Sequence, residues 1–283
     1  MNKRMRILLL VLAVVLGTGL MAYPMLSSLY REAHQGAVIT KYQEVMAQED
    51  TALLDAVWED AQEWNRQLAA GEIDILKPEE NGYFDQLLLP GSAVMGYIQI
   101  PAIHVLLPIY HGVGSDALSR GVGHMTQSSL PVGGDNTHSV LSAHSGMASS
   151  PMFSDLEKME AGDVFFLSVL GETLAYEVFD IQTVLPQEVE GTQIHPGEDL
   201  CTLITCTPYG VNTHRLLVTG RRIPTPAISD PVENPEAAGT TEERGSVWRA
   251  HYWRTVALSG IFLLVIVMST IYCSSRRKRH EQK

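Results

Sequence analysis

The chain has 283 residues and a formal net charge of −12, long enough for one or two domains with a sizeable core. Basic residues cluster at the two ends, so the stretch between them is more acidic than the chain as a whole, which argues against nucleic acid or anionic lipid as its partner. Three cysteines make no disulfide framework, and no HExxH, paired CxxC or EF-hand pattern appears, so neither a metal nor a cofactor has a motif.

Residues 1–6 are a basic tail with Lys3, Arg4 and Arg6, followed by an almost unbroken apolar run over 7–26. At about 1.5 Å per helical residue such a run crosses a hydrocarbon core of roughly 30 Å. It reads as a transmembrane helix or signal anchor. A cleaved signal peptide is the alternative, although no small-x-small cleavage site stands out and the run is long for an h-region. Residues 27–92 read as a helical segment and connector. Over about 39–70, Leu54, Val57, Trp58, Ala61, Trp64 and Leu68 recur at three- and four-residue steps, an apolar stripe suited to packing. Gly71 is a stop signal, and Pro78, Asn81-Gly82 and Pro90-Gly91 mark the connector.

Over 93–223 the pattern changes to short segments rich in Val, Ile, Leu and Tyr, spaced by turn residues: 96–101, 105–110, 139–143, 163–170, 173–185, 201–206 and 214–221. This predicts a mainly β fold, a barrel or sandwich of one domain. Ser150-Pro151 predicts the start of a helix running to about Met159. Residues 224–248 are a Pro-rich and acidic linker that cannot bury a core. An interfacial flank with Trp248, Tyr252 and Trp253 leads into a second apolar run, 256–273, so that 249–273 reads as a membrane-spanning unit. A basic tail over 274–283 carries Arg276, Arg277, Lys278 and Arg279. By the positive-inside rule both termini are expected in the cytoplasm, with the middle of the chain outside the cell membrane.

Cys201 and Cys206 share one strand-like run at an odd offset. They are therefore expected on opposite faces, roughly 16 Å apart, too far for a disulfide. An exported thiol left free needs a reason, and catalysis is one. Cys206 ends its run before Thr207-Pro-Tyr-Gly210, a turn signal, and Arg215 opens the next run nine residues on. A hairpin with its loop at about 207–213 brings the two together. Arg215 is then either a charge for a developing oxyanion or a structural arginine paired with a surface carboxylate. A thiol needs a proton acceptor. Of ten histidines, His144 ends a strand-like run, 139–143, beside a loop. His214 points away from Arg215's face, and His124, His138 and His195 read as surface residues.

The stretch Thr202-Leu-Ile-Thr-Cys206-Thr-Pro-Tyr-Gly210, with Arg215-Leu-Leu-Val218 after it, closely resembles the sortase signature. Residues 131–144 resemble the histidine segment of that family, and 95–101 with 107–112 its opening strands. The segment Cys206-Thr-Pro-Tyr-Gly and an apolar run at each end resemble the class C, pilin-polymerising sortases of Gram-positive bacteria. The resemblance implies a closed β-barrel without cofactor or metal. It implies that Cys206 attacks the Thr–Gly bond of an LPxTG-like signal, with a lysine amine on a pilin as acceptor. His144 would exchange protons, Arg215 would hold substrate or oxyanion, and Thr205 either adds a hydroxyl hydrogen bond to substrate or is an ordinary strand residue. Two features depart from the family pattern. No Asp-Pro lid motif occurs over 71–92, where Tyr83 and Phe84 are the candidates for a lid, and His144 is followed by Ser145-Gly146 rather than Arg-Gly. A housekeeping sortase that anchors proteins to peptidoglycan, and an inactive barrel serving as a scaffold for pilus assembly, are the competing readings.

Overall fold

The structure, a computed structural model, describes residues 3–145, 151–188, 190–225, 254 and 257–260. The chain divides into two compact units, Met1–Ser27 with Gly245–Lys283, and Ser28–Arg244. In the first unit, the backbone over 7–26 belongs to α1 (Lys3–Gln48). Among the described residues no helix is long and apolar enough to cross a membrane. The expected linker and second apolar run lie outside the described residues, apart from Pro224, Thr225 and 257–260.

The second unit is built on eight strands: β1 (Gly96–Ile100), β2 (Val105–His111), β3 (Val122–His124), β4 (Thr137–Ser142), β5 (Val164–Val169), β6 (Glu172–Val184), β7 (Asp199–Thr207) and β8 (His214–Ile223). They close into a barrel in the order β1-β2-β3-β4-β7-β8-β6-β5. Every pairing is antiparallel except β2 with β3 and β4 with β7. Closure removes the exposed edges that a free sheet of these strands would present.

Strand periodicity sorts the core. Leu141 and Ala143, Cys201 and Leu203, and Leu216 and Val218 belong to the main hydrophobic core. Their alternates Val140, Ile204 and Leu217 form a second small cluster with Met125 and Val184. Because β7 is covered on both faces, its sequence reads as a continuous apolar run rather than an alternating one. At Gly220 a Cβ would come within 2.6 Å of the Phe165 ring, which itself stacks on Tyr176. Only glycine fits that point of β8.

The expected helix over 39–70 is two helices. α1 ends at Gln48, and α2 (Thr51–Ala69) starts behind Asp50, whose carboxylate accepts the Ala52 N–H. Asp50 is a good N-cap, and it breaks what the apolar stripe alone presents as continuous. Gly71 takes φ +72 just past the end of α2, as a C-terminal glycine does. Of the expected helix from Ser150 to Met159, the described part, 151–159, is corrected to turns and a short 3-10 segment, Leu156–Lys158. Adjacent Met152 and Phe153 are both fully buried, along with Leu156 and Met159, and Met152 has φ +43. One helix face cannot bury neighbouring residues in that way. Strand β3 and α3 (Ser115–Arg120) were not expected, since three residues are too few to show a period.

Buried polar bonds fasten the helices to the barrel. Tyr42 of α1 donates its hydroxyl to Met95 O (3.1 Å) and accepts the Leu170 N–H (2.8 Å). Asn65 of α2 donates to Leu130 O (3.0 Å) and accepts the Leu130 N–H (2.7 Å). Each side chain thus satisfies two backbone groups that have no water to turn to. Burial holds the Tyr42 phenol neutral, its pKa pushed up to about 12. Tyr42→Phe strands both backbone groups, and it should lower unfolding free energy by about 1–3 kcal/mol in urea titration with an unchanged slope.

Candidate active site

β7 carries Cys206 next to its end, and β8 returns antiparallel with Arg215 directly across from Cys206. The strands end at Thr207 and start again at His214, so the expected hairpin and its loop are present. On the other side of β7, β4 runs parallel, the last pair being Ser142 with Ile204. The ladder continues one bond further, from the Ala143 N–H to Ile204 O (3.1 Å). His144 follows directly, just past the end of the ladder and next to the segment of β7 that carries Cys206. Cys206, His144 and Arg215 are all half-buried. One nucleophile, one imidazole and one guanidinium therefore come from β7, the segment just after β4, and β8, at the same end.

The His144 segment is tied down on each side. Thr205 Oγ1 donates to Ala143 O (2.9 Å), and Ser145 Oγ donates to Cys206 O (2.6 Å). The Phe153 N–H donates to His144 O (3.1 Å). Thr205, expected either to reach substrate or to be an ordinary strand residue, is buried and spends its hydroxyl inside the fold. Arg215 Nη1 donates to His214 O (3.0 Å) and Asn212 O (3.4 Å). A guanidinium has five N–H donors, so most remain for a substrate oxygen. Ser145, Ser154, Glu157, Tyr209 and Leu216 line a narrow crevice beside Cys206.

Tyr83 and Phe84, the candidate lid, are placed elsewhere. Tyr83 is fully buried, stacked on His124 and edge-on to His111 and Phe84. Its hydroxyl accepts the Gly112 N–H (3.1 Å) and meets His124 Nδ1 (2.8 Å). His124 pairs with Leu141 and Leu141 with Leu203, three residues short of His144 and Cys206 on their strands. Tyr83 is a packing residue with its polar end satisfied.

Two histidines expected on the surface are buried instead. His124 Nε2 faces Ser129 O (2.8 Å); a carbonyl only accepts, so Nε2 carries the proton and Nδ1 accepts from Tyr83. His138 Nδ1 likewise donates to Gln193 O (2.7 Å), and its Nε2 accepts from Thr202 (2.6 Å), which meets Thr219 (2.9 Å). His195 is exposed, as expected, and His214 is half-buried. Cys201 is buried, and burial pushes its thiol well above the usual range. Neither Cys201 nor Cys206 is in a disulfide. Sequence reasoning missed Ser145 as a contact of Cys206; the available signal was a hydroxyl residue directly after the histidine.

Residues 98–223 match the family described as Sortase domain. Sortase A of Streptococcus agalactiae is 34% identical over 128 residues, which are 44% of this chain and 51% of that protein. The chain thus spans about half the length of that relative. Solved structures cover more. Sortase C of Streptococcus pneumoniae is 44% identical with a TM-score of 0.61, over 66% of this chain and 97% of that one. Sortase C1 of Streptococcus agalactiae is 43% identical with a TM-score of 0.63, at the same coverage. The chain belongs to the sortase family. These neighbours are class C sortases. A further one, sortase C of Clostridium perfringens, solved with its C-terminal cell wall sorting motif, is 40% identical with a TM-score of 0.59 over 66% of this chain and 98% of that one.

The buried histidines make a pH prediction. Burial, the largest cause, lowers His124 to about 4, and it also lowers His138 and His111. Each binds a proton more readily when unfolded, near pH 6.5, than when folded. Their contribution is thus intact above about pH 6.5 and is lost as pH falls toward about 4. The urea midpoint measured across that window should fall steadily with acidification.

Proposed function

We propose that this chain is a membrane-anchored class C sortase, which cleaves between Thr and Gly of an LPxTG-like signal and joins the Thr carboxyl to a pilin lysine. One observation carries the reading: Cys206 lies across from Arg215 on β8, and the His144 segment is bonded along the opposite side of the same strand. The class C neighbours support the pilin assignment, since the Streptococcus pneumoniae structure is described in terms of pilin substrate specificity and the Clostridium perfringens one holds a sorting motif. The apolar runs with basic residues at their outer ends support anchorage at the cell membrane with the barrel outside.

The chemistry follows from the three side chains. Cys206 Sγ, as thiolate, adds to the Thr carbonyl carbon, and the oxygen takes up negative charge. Arg215, paired with Cys206 across the β7–β8 ladder, is the guanidinium that stabilises that charge. The C–N bond then breaks as the imidazolium of His144 protonates the departing glycine amine, leaving a thioester on Cys206. A lysine Nζ adds to the thioester, His144 takes its proton, and the C–S bond breaks. An isopeptide bond forms and the Cys206 thiolate returns. Excluding water at the thioester stage favours transfer over hydrolysis.

The anchoring reading has a specific support, the match to a Sortase A. Full-length protein in detergent, incubated with an LPxTG peptide and a lysine-bearing pilin fragment, separates the readings by mass spectrometry. The expected product is the signal, cut after Thr, isopeptide-linked to the pilin lysine. Cys206→Ala should give none, and Arg215→Ala should lower kcat/KM roughly 10²- to 10³-fold. Transfer only to a diamino-acid wall mimic would establish anchoring instead, and no cleavage of any signal variant would leave the scaffold reading.

A further inference from the structure

The geometry points to Ser145 as the positioning residue that holds His144 beside Cys206, an inference that rests on the function proposed above. The next rung of the parallel β4–β7 ladder would use the Cys206 N–H to Ala143 O and the Ser145 N–H to Cys206 O. Both acceptors are taken by hydroxyls instead: Ala143 O by Thr205, and Cys206 O by Ser145 at 2.6 Å. The chain bends at Ser145, and the His144 segment stays fastened to β7 on either side. Its own carbonyl is held from a third direction by the Phe153 N–H.

Of these bonds, the one from Ser145 spans the backbones that carry the thiol and the imidazole. It ends on the carbonyl of Cys206 itself, so its length sets how far apart the two reacting side chains start. Ser145 is 9% exposed and Cys206 half-buried, so the bond sits at the boundary of the fold. A serine here is shorter than the arginine expected from the family resemblance, and only a short hydroxyl side chain bonds a carbonyl so close to its own backbone.

Losing the bond should cost little folding stability, because Cys206 is half-buried at a strand end and its carbonyl can be hydrated. It should cost reactivity, because small displacements in reacting groups are expensive. The test uses the full-length chain in detergent, with Cys206 identified by peptide mapping after iodoacetamide alkylation and LPxTG turnover measured in parallel. Ser145→Ala should lower kcat and the Cys206 alkylation rate roughly ten- to a hundred-fold with KM and thermal midpoint unchanged. Ser145→Thr should restore both. In a His144→Ala background, Ser145→Ala should have no further effect, since it acts through the imidazole. Additive losses in that background, wild-type rates in Ser145→Ala, or a loss that tracks a fallen thermal midpoint without rescue by Thr would each overturn the inference. The alkylation arm needs no peptide. A wild type inert toward every signal, yet with Ser145- and His144-dependent alkylation, would therefore remove the proposed function and leave this inference standing.

Discussion

β4 and β7 run parallel over the pairs from Thr137 with Asp199 to Ser142 with Ile204, and two other strands separate them in the chain. A parallel pair requires a long crossover, here supplied by β5, β6 and the loops around them. The chain accepts that cost in loop closure, and the return is that two distant segments end side by side. Antiparallel β8 then adds Arg215 on the far side of β7. A central strand with a parallel neighbour on one side and an antiparallel one on the other collects three chemical groups at one rim of the barrel.

The rest of the molecule keeps that rim in place. The barrel has no free edge along which β7 could slip, and a slip of one residue would turn Cys206 to the other face. Hydrogen bonds to backbone, rather than apolar contact alone, fix the covering elements. Tyr42 and Asn65 attach the two helices, Tyr83 with His124 fastens the connector to β2 and β3, and His138 holds the segment around Gln193 to β4 and β7. Each of these side chains is buried, so each bond replaces water that cannot enter. The reacting groups are only half-buried, and the rigid surroundings leave them accessible without leaving them loose.

Much of this was legible in the residues. The turn after Cys206 and its nine-residue spacing to Arg215 are local signals, and the hairpin follows from them. Seven of the eight strands were readable as apolar segments, because a barrel wall buries at least one face of each. The failures share a physical cause. β3 has three residues and no period of its own; it exists because Val122 and His124 find partners on β2 and β4. His124 and His138 stand in polar, turn-rich surroundings that suggest surface, yet partners far along the chain satisfy both ring nitrogens and permit burial. Of the two readings for Thr205, its burial and its bond to Ala143 O favour the ordinary strand residue, and Tyr83, the lid candidate, is buried with its hydroxyl bonded inside the fold. Nothing local says that a hydroxyl or phenol will be consumed inside the fold. His144 is legible through its strand end and the family resemblance, since its relation to Cys206 depends on contacts between segments 62 residues apart in sequence.

The claim beneath the chemistry is geometric: the last β4–β7 backbone bond and the Thr205 and Ser145 hydroxyl bonds hold His144 beside Cys206. His144→Cys introduces a thiol at that point, and a disulfide forms only where the two Cα atoms come within roughly 4.4–6.8 Å. Mild oxidation followed by peptide mapping should give a 144–206 disulfide, with Cys201, on the opposite face of β7, left unlinked. Exclusive coupling of position 144 to Cys201, or no 144–206 bridge under conditions where Cys206 is fully open to alkylation, would contradict the pairing and the account built on it.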